Sequence, residues 1–248
     1  MEPPIFYAPA DSIRDNMIEL SSAEARHLVA VMRLQAGAVV LVVDGLGMAY
    51  RGEVAAVSQK SATVRIISQH RNFGEPMVRL TLAAGFSTGG KFDNVVQRGT
   101  ELGVKRFVPV VAEKGKVNPS DPKRVRNRVG RLEQVALAAI KQCRRSYRPD
   151  ISLPMTLSEL LTETDPESCN LLFHPAAASR PLDADVLNPD AKRVTVLVGP
   201  ESGFTGDEVR RAVTSGFTLV SLGARVLRTE TAGPVACALV MQALGELR

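Results

Sequence analysis

The stretch Arg193-Val194-Thr195-Val196-Leu197-Val198-Gly199-Pro200-Glu201-Ser202-Gly203-Phe204-Thr205-Gly206-Asp207-Glu208 decides the fold. Its first six residues are β-branched and almost wholly apolar, as a strand covered on both faces must be. Glycine and proline then break the run. Thr205 and Glu208 stand in capping-box spacing, so a helix is predicted from there to about Gly216. A second unit of the same kind follows at once: Phe217-Thr218-Leu219-Val220-Ser221-Leu222 reads as a buried strand, and Gly223-Ala224-Arg225-Val226-Leu227-Arg228 as its turn. Thr231 is the expected N-cap of a final helix over 235–247, with Pro234 in the first turn, where its missing N–H is harmless. Strand, glycine turn and helix in repetition describe an open α/β sheet whose ligands bind beyond the carboxyl ends of the strands.

Upstream, residues 78–84 open this alternation as a strand, with helices expected near 91–102 and 131–145. Ahead of them, 38–44, 50–58 and 62–68 read as short strands, the first two joined through Asp44-Gly45-Leu46-Gly47. The polar stretch 70–76, with its glycine and proline, separates the two patterns. Two domains are therefore expected, a small β-rich unit over 1–70 and an α/β unit over 76–248.

The chain has 248 residues, 45% of them hydrophobic, enough for a sizeable core. Cys143, Cys169 and Cys237 are odd in number and far apart, and no basic-then-apolar leader is seen, so a reduced, cytoplasmic protein is expected. No apolar run approaches a membrane span. His27, His70 and His174 lack ligand spacing, so no metal site is expected.

Charge is unevenly spread. Residues 114–148 hold eleven Lys and Arg against Asp121 and Glu133, a balance of +9 where the whole chain carries +5. Lys141, Arg144, Arg145 and Arg148 recur at i, i+3, i+4 and i+7, one face of a helix continued that far, with Tyr147 nearby for base stacking. Such a density of cations reads as the footprint of a polyanion, structured RNA above all.

The two turns limit what they can hold. Gly199-Pro200-Glu201-Ser202-Gly203 has neither the G-x-G-x-x-G spacing nor the Lys-Ser/Thr ending of a phosphate loop, and Glu201 would repel a pyrophosphate. An apolar, aromatic ligand with a positive centre suits them better, since backbone amides can read a base edge while the carboxylate tolerates the cation.

The pair G-P-E-S-G-F-T-x-x-E (199–208) and L-G-x-R-V-L-R-T-E-T-A (222–232) resembles the signature of the ribosomal RNA small subunit methyltransferase E family, the 16S rRNA uridine-N3 methyltransferases of the SPOUT superfamily. Thr100-Glu101-Leu102-Gly103, Pro109, Arg148-Pro149-Asp150-Ile151, His174-Pro175, and Arg26-His27-Leu28 with Arg33 extend the likeness over nearly the whole chain. Ser202, Pro4 and Lys141 depart from it, standing where glycine, arginine and glutamate are usual.

The resemblance implies an N-terminal PUA-like β-barrel and a trefoil-knotted SPOUT α/β domain that binds S-adenosyl-L-methionine and works as a homodimer on 16S rRNA or the small ribosomal subunit. It places cofactor contacts at Leu172, His174 and Pro175, at Gly199, Pro200, Glu201 and Gly203, and at Leu222, Gly223, Val226 and Leu227. Methyl transfer to N3 of a uridine requires alignment, loss of the imide proton and stabilisation of charge on the flanking carbonyls. Arg225 or Arg228 is the candidate for the last task, being permanently cationic; the proton goes to Glu230 or to water. RNA contacts are expected from Arg26, His27 and Arg33 and from Lys114, Lys141, Arg144, Arg145 and Arg148. The competing readings are a non-catalytic RNA-binding protein, a methyltransferase of another RNA, and a nicotinamide oxidoreductase. The last is disfavoured by the absent dinucleotide fingerprint.

Overall fold

The computed structural model describes residues 2–58, 60–87, 89–115, 121–176 and 178–247. The chain forms two compact units, Met1–Glu75 with Leu137–Arg148, and Pro76–Ala136 with Pro149–Arg248. The break at 75/76 falls inside the polar stretch 70–76, while the return of 137–148 to the first unit has no mark in the sequence.

The first unit contains strands β1 (Ile5–Tyr7), β2 (Ile13–Arg14) and β3 (Met17–Leu20), helix α1 (Ser22–Arg26), and strands β4 (Val39–Val43), β5 (Met48–Val57) and β6 (Ala62–Arg71). They pair in the order β1-β4-β5-β6-β3-β2, all antiparallel except β1 with β4. Alternation sorts the side chains of β4. Val40 and Val42 join Phe6, Ile18, Leu28 and Val64 in one core, while Leu41 and Val43 join Ile140 and Leu137 in another. The β4–β5 turn is held by Asp44, whose Oδ1 accepts from the N–H groups of Leu46 at 2.7 Å and Met48 at 3.0 Å.

The second unit contains strand β7 (Arg79–Gly85), helix α2 (Lys91–Glu101), strand β8 (Arg106–Val111), helix α3 (Pro122–Cys143) as far as Ala136, its remainder belonging to the first unit, strands β9 (Asp150–Ile151) and β10 (Met155–Thr156), helix α4 (Leu157–Glu163), strands β11 (Cys169–Phe173) and β12 (Arg193–Val198), helix α5 (Gly206–Thr214), strand β13 (Thr218–Val220) and helix α6 (Thr229–Ala243). Its sheet is parallel throughout, ordered β10-β8-β7-β12-β11-β13 with β9 beside β8. Both faces are covered. Leu80, Leu82, Val196 and Phe173 meet α2, α3 and α6, whereas Ala83, Val108, Leu172 and Leu197 meet α4 and α5. No helix of the described residues is long and apolar enough to cross a membrane.

Helix α5 starts at the expected cap. Thr205 Oγ1 accepts from Glu208 N at 3.1 Å and Glu208 Oε2 accepts from Thr205 N at 2.7 Å. Glu208 also reaches across the fold, its Oε1 accepting from Glu113 N at 2.9 Å while the residue is 1% exposed. Glu208→Ala strands both N–H groups and is expected to lower stability by about 2 kcal/mol, measured by urea unfolding; a loss under about 0.5 kcal/mol, the scale of a surface change, would count against that role.

Two helices differ from expectation. Helix α6 begins at Thr229, so Arg228 is the N-cap and Thr231 lies within the first turn. Pro234 then falls in the second turn, tolerated because it removes a single ladder bond from a helix packed on β7, β12 and α2. Helix α3 begins nine residues before the predicted 131. Asp121 Oδ1 accepts from Lys123 N at 2.9 Å and Arg124 N at 3.2 Å, an N-cap followed by Pro122 in the first position. It ends at Cys143, and Arg144 turns left-handed at φ 64°. The face that was to carry Lys141, Arg144, Arg145 and Arg148 at helical spacing therefore does not form.

Candidate functional site

Beyond the carboxyl ends of β11, β12 and β13, three loops line a pocket that is open to solvent at its mouth. Strand β11 contributes Phe173, His174 and Pro175; β12 leads into Val198, Gly199, Pro200, Glu201 and Gly203; β13 leads into Leu222, Gly223, Arg225, Val226 and Leu227. The first turn of α6 closes the floor with Thr229 and Ala232. Thr229 Oγ1 donates to Gly199 O at 3.1 Å, pinning the floor to the β12 loop. Gly203 and Gly223 sit at φ 69° and 89°, the left-handed region that makes these turns glycine positions.

The β12 loop is shaped from below by a residue far away in sequence. A Cβ on Gly85, the last residue of β7, would lie 2.2 Å from Pro200 N and 2.4 Å from Pro200 Cα. Strand β7 thus ends in glycine because the pocket loop rests on it. Glu201 at the rim pairs with Lys91, the first residue of α2.

His174 is half-buried, its N–H donating to Val220 O at 3.0 Å and its Nδ1 accepting from Ala176 N at 3.1 Å. Burial lowers its pKa from the usual 6.5. The fold thus favours the neutral ring, so stability is lost as pH falls below about 6.5, where the unfolded chain binds the extra proton. His174→Gln is expected to flatten urea-unfolding stability between pH 7 and 5; an unchanged profile would show that the ring does not report on this fold.

Ten of the eleven residues expected at the cofactor line this pocket. Leu172 does not: it is fully buried on the opposite face of the sheet with Leu197, because neighbouring strand residues point to opposite sides, and Phe173 takes the place. Thr229 and Ala232 were not anticipated, since the start of α6 had been set too late, and Val198 was read only as the end of its strand. Of the three residues considered for chemistry, Arg225 lines the pocket, while Arg228 and Glu230 lie just beyond its lining. Arg228 Nη1 stands 4.0 Å from Glu230 Oε1, with the arginine side chain 81% exposed and the glutamate 15%. Glu230 Oε2 is buried and has no hydrogen-bond partner among the described residues.

The expected RNA contacts divide into exposed and engaged groups. In the first unit Arg26, His27 and Arg33 are exposed; His27 opens a short π-helical turn (His27–Val31) and meets the Phe6 ring edge-on at 5.9 Å. Arg145 is instead 2% exposed. Its Nη2 lies 2.8 Å from Glu75 Oε2, and Glu75 also accepts from Tyr147 N at 2.8 Å. Lys141 pairs with Glu24 at 2.5 Å, and Arg144 with Glu2 at 3.0 Å and with Pro3 O at 3.2 Å. Arg148 is half-buried. In the second unit Lys114 is exposed, while Lys116 of the basic window lies outside the described residues. The cations near the end of α3 are therefore held by acids of the first unit, which the running charge balance conceals.

Comparison with known proteins agrees with this architecture. The family model for an RNA methyltransferase domain matches residues 74–241, and that for an RNA methyltransferase PUA domain matches 20–67. Fold and pocket together thus define an RNA methyltransferase with an appended PUA domain. The ribosomal RNA small subunit methyltransferase E of Synechocystis sp. is 30% identical over 230 residues, 92% of this chain and 74% of that protein. That of Bacillus subtilis is 27% identical over 86% of this chain and 85% of its own length. The crystal structure of the Neisseria gonorrhoeae enzyme of that name, bound to S-adenosyl methionine, superposes with a TM-score of 0.86 at 28% identity, covering 97% of this chain and 98% of its own. A Legionella pneumophila methyltransferase with bound SAM gives 0.87 at 28%, covering 98% of each chain. The chain belongs to the ribosomal RNA small subunit methyltransferase E family.

Proposed function

We propose that this protein transfers a methyl group from S-adenosyl-L-methionine to N3 of a uridine in 16S rRNA of the small ribosomal subunit, working in the cytoplasm as a homodimer without a metal. The observation that carries the reading is the chemistry of the pocket: two glycine turns, apolar walls from Phe173, Val198, Leu222 and Leu227, and one carboxylate, Glu201, at the rim. An adenosine with a sulfonium fits that lining, since backbone groups of 199–203 and 222–227 can read the base edge while Glu201 favours a cation. Bound there, the cofactor would supply the electrophilic methyl group. The rest is the chain's work.

Arg225, at the pocket wall, is our candidate to hold negative charge developing on the uracil carbonyls, with Arg228 three residues further along the same loop. Glu230 Oε2, buried and unpartnered, is the candidate acceptor of the imide proton, and water is the other route. A second copy of the chain is supported by apolar surface left uncovered near the pocket, Val226 being 86% and Leu239 44% exposed. Among the residues expected to meet RNA, exposed Arg26, Arg33 and Lys114 can reach phosphates without rearrangement.

The reading is tested by mapping methylated nucleosides in rRNA from cells with and without the protein. Loss of one N3-methyluridine is expected, and an unchanged profile would overturn the assignment. Arg225→Ala should leave cofactor affinity intact and lower turnover about a hundredfold, the scale of one lost charge-stabilising donor. Normal turnover would remove Arg225 from the chemistry.

A further inference from the structure

The amino end of the parallel sheet carries a cleft that methyl transfer does not use. It opens between the first residues of β7, β8 and β12 and the end of α4, and its lining is charged or polar apart from Leu160. Arg193, at the start of β12, belongs to this cleft and Val198, at the strand's end, to the cofactor pocket. The two sites thus lie about 17 Å apart along one strand. We propose that the cleft binds a ribose phosphate, with Arg79 and the Thr81 hydroxyl on the phosphate and Glu163 and Asp165 on the sugar hydroxyls.

The sheet register singles the cleft out. Asn170, Thr195, Thr81 and Arg106 are successive neighbours on β11, β12, β7 and β8, and two residues further along each strand, on the same face, stand Leu172, Leu197, Ala83 and Val108. The second row is buried and apolar, as a covered parallel sheet requires. The first row is polar on all four strands. Asn170 Nδ2 donates to Asp165 O at 3.3 Å, and the Thr195 and Ser168 hydroxyls meet at 3.2 Å. The Thr81 hydroxyl, between Thr195 and Arg106, makes no hydrogen bond among the described residues.

Charge points the same way. Arg79 and Arg193 stand opposite each other on adjacent strands, an arrangement that repulsion disfavours. Arg193 is answered by Asp165 at 2.7 Å and Glu167 at 2.5 Å, and Arg106 by Glu163 at 2.9 Å. Arg79 is exposed and has no ion pair among the described residues. Three arginines against Glu163 and Asp165 leave the lining at +1, the charge of that one free guanidinium. An anion between Arg79 and Arg193 relieves their repulsion, and a guanidinium fork takes two phosphate oxygens at once. A bare anion would also face the two carboxylates, whereas a phosphate carried on a sugar brings hydroxyl donors to them. With Leu160 alone to offer apolar contact, the lining suits the sugar and the phosphate and not a base.

A ribose phosphate can come as a free sugar phosphate or within an RNA strand, and two measurements distinguish these sources. The full chain is titrated calorimetrically with ribose 5-phosphate and with inorganic phosphate, and a fluorescent single-stranded RNA is bound across a range of salt concentrations. For a free ligand, ribose 5-phosphate should bind about tenfold more tightly than inorganic phosphate, and Arg79→Gln should cost it about tenfold, the scale of one charge-assisted hydrogen bond. Thr81→Val should cost less. For a strand, Arg79→Gln should reduce the log-affinity against log-salt slope by about 0.7, one phosphate contact, even where ribose 5-phosphate alone does not bind. Either response to Arg79→Gln supports the site and names its source. Being exposed and unpaired, Arg79 should be replaceable by Gln with the urea midpoint and S-adenosyl methionine affinity of the wild type. A lowered midpoint would make Arg79 a structural residue and overturn the site. So would inorganic phosphate binding as tightly as ribose 5-phosphate, or an Arg79→Gln protein with both affinity and slope unchanged. The site goes beyond the methyl-transfer reading: a wild type that fails to bind S-adenosyl methionine would sink that reading, while the response to Arg79→Gln would still decide this one.

Discussion

Gly85→Ala is expected to abolish cofactor binding while the protein stays folded. The added methyl would sit 2.2 Å from Pro200 N and 2.7 Å from Pro200 Cβ, contacts that no side-chain rotation relieves because most of the opposing atoms are backbone. Strand β7 is paired on both sides, with β8 and β12, so the β12 loop is the element that moves. That loop supplies Gly199 through Gly203 to the pocket. Overpacking of this kind strains a core by about 1–3 kcal/mol, less than a domain's total stability. Calorimetry should show no heat of binding with S-adenosyl methionine, with urea unfolding still cooperative. Wild-type affinity in this variant would mean that the loop does not hold the ligand. At Gly199 a Cβ would meet the Phe204 ring at 3.2 Å, so a larger residue there acts by pushing Phe204 as well as by filling the pocket.

Arg145→Ala should be among the most damaging changes in the first unit, through stability and not through RNA. The Glu75 side chain is 1% exposed and that of Arg145 3%, with Nε and Nη2 both directed at the carboxylate. Removing the arginine leaves a buried carboxylate with no cation, a loss of about 3–5 kcal/mol. The partner also fixes the chain path, since Glu75 receives the Tyr147 N–H and Gly74 approaches Arg144 O too closely for any side chain. Urea unfolding should move to a much lower midpoint. The salt dependence of RNA binding, measured where the variant remains folded, should match the wild type. A stable variant with a flattened salt dependence would return Arg145 to the RNA surface.

The contrast between these residues shows what a linear reading resolves. The two glycine turns were legible because their chemistry is local: each is a strand end, a left-handed glycine and a helix start within a dozen residues, and the capping pair Thr205–Glu208 lies within one turn. The start of α6 was misplaced because Thr231 and Pro234 make a sound local cap, and packing on β7, β12 and α2 overrode it. Leu172 and Phe173 were interchanged because two adjacent apolar residues at a strand end carry no mark of which face the pocket occupies.

The helical face expected over 141–148 was lost for a related reason. Eleven cations in sequence are a net charge, but whether each meets solvent depends on acids brought from elsewhere: Glu2, Glu24 and Glu75 lie 70 to 142 residues from the cations they pair with. Sequence alone determined the strand-and-helix alternation, the two turns and the absence of a phosphate loop at 199–203, since these follow from periodicity, backbone freedom and capping within a few residues. Only the tertiary structure decided which arginines are buried, that Gly85 supports Pro200, and that Lys91 stands at the rim with Glu201. Each is a contact between segments distant in the chain, and such contacts are set by how the sheet orders its strands, which no local pattern encodes.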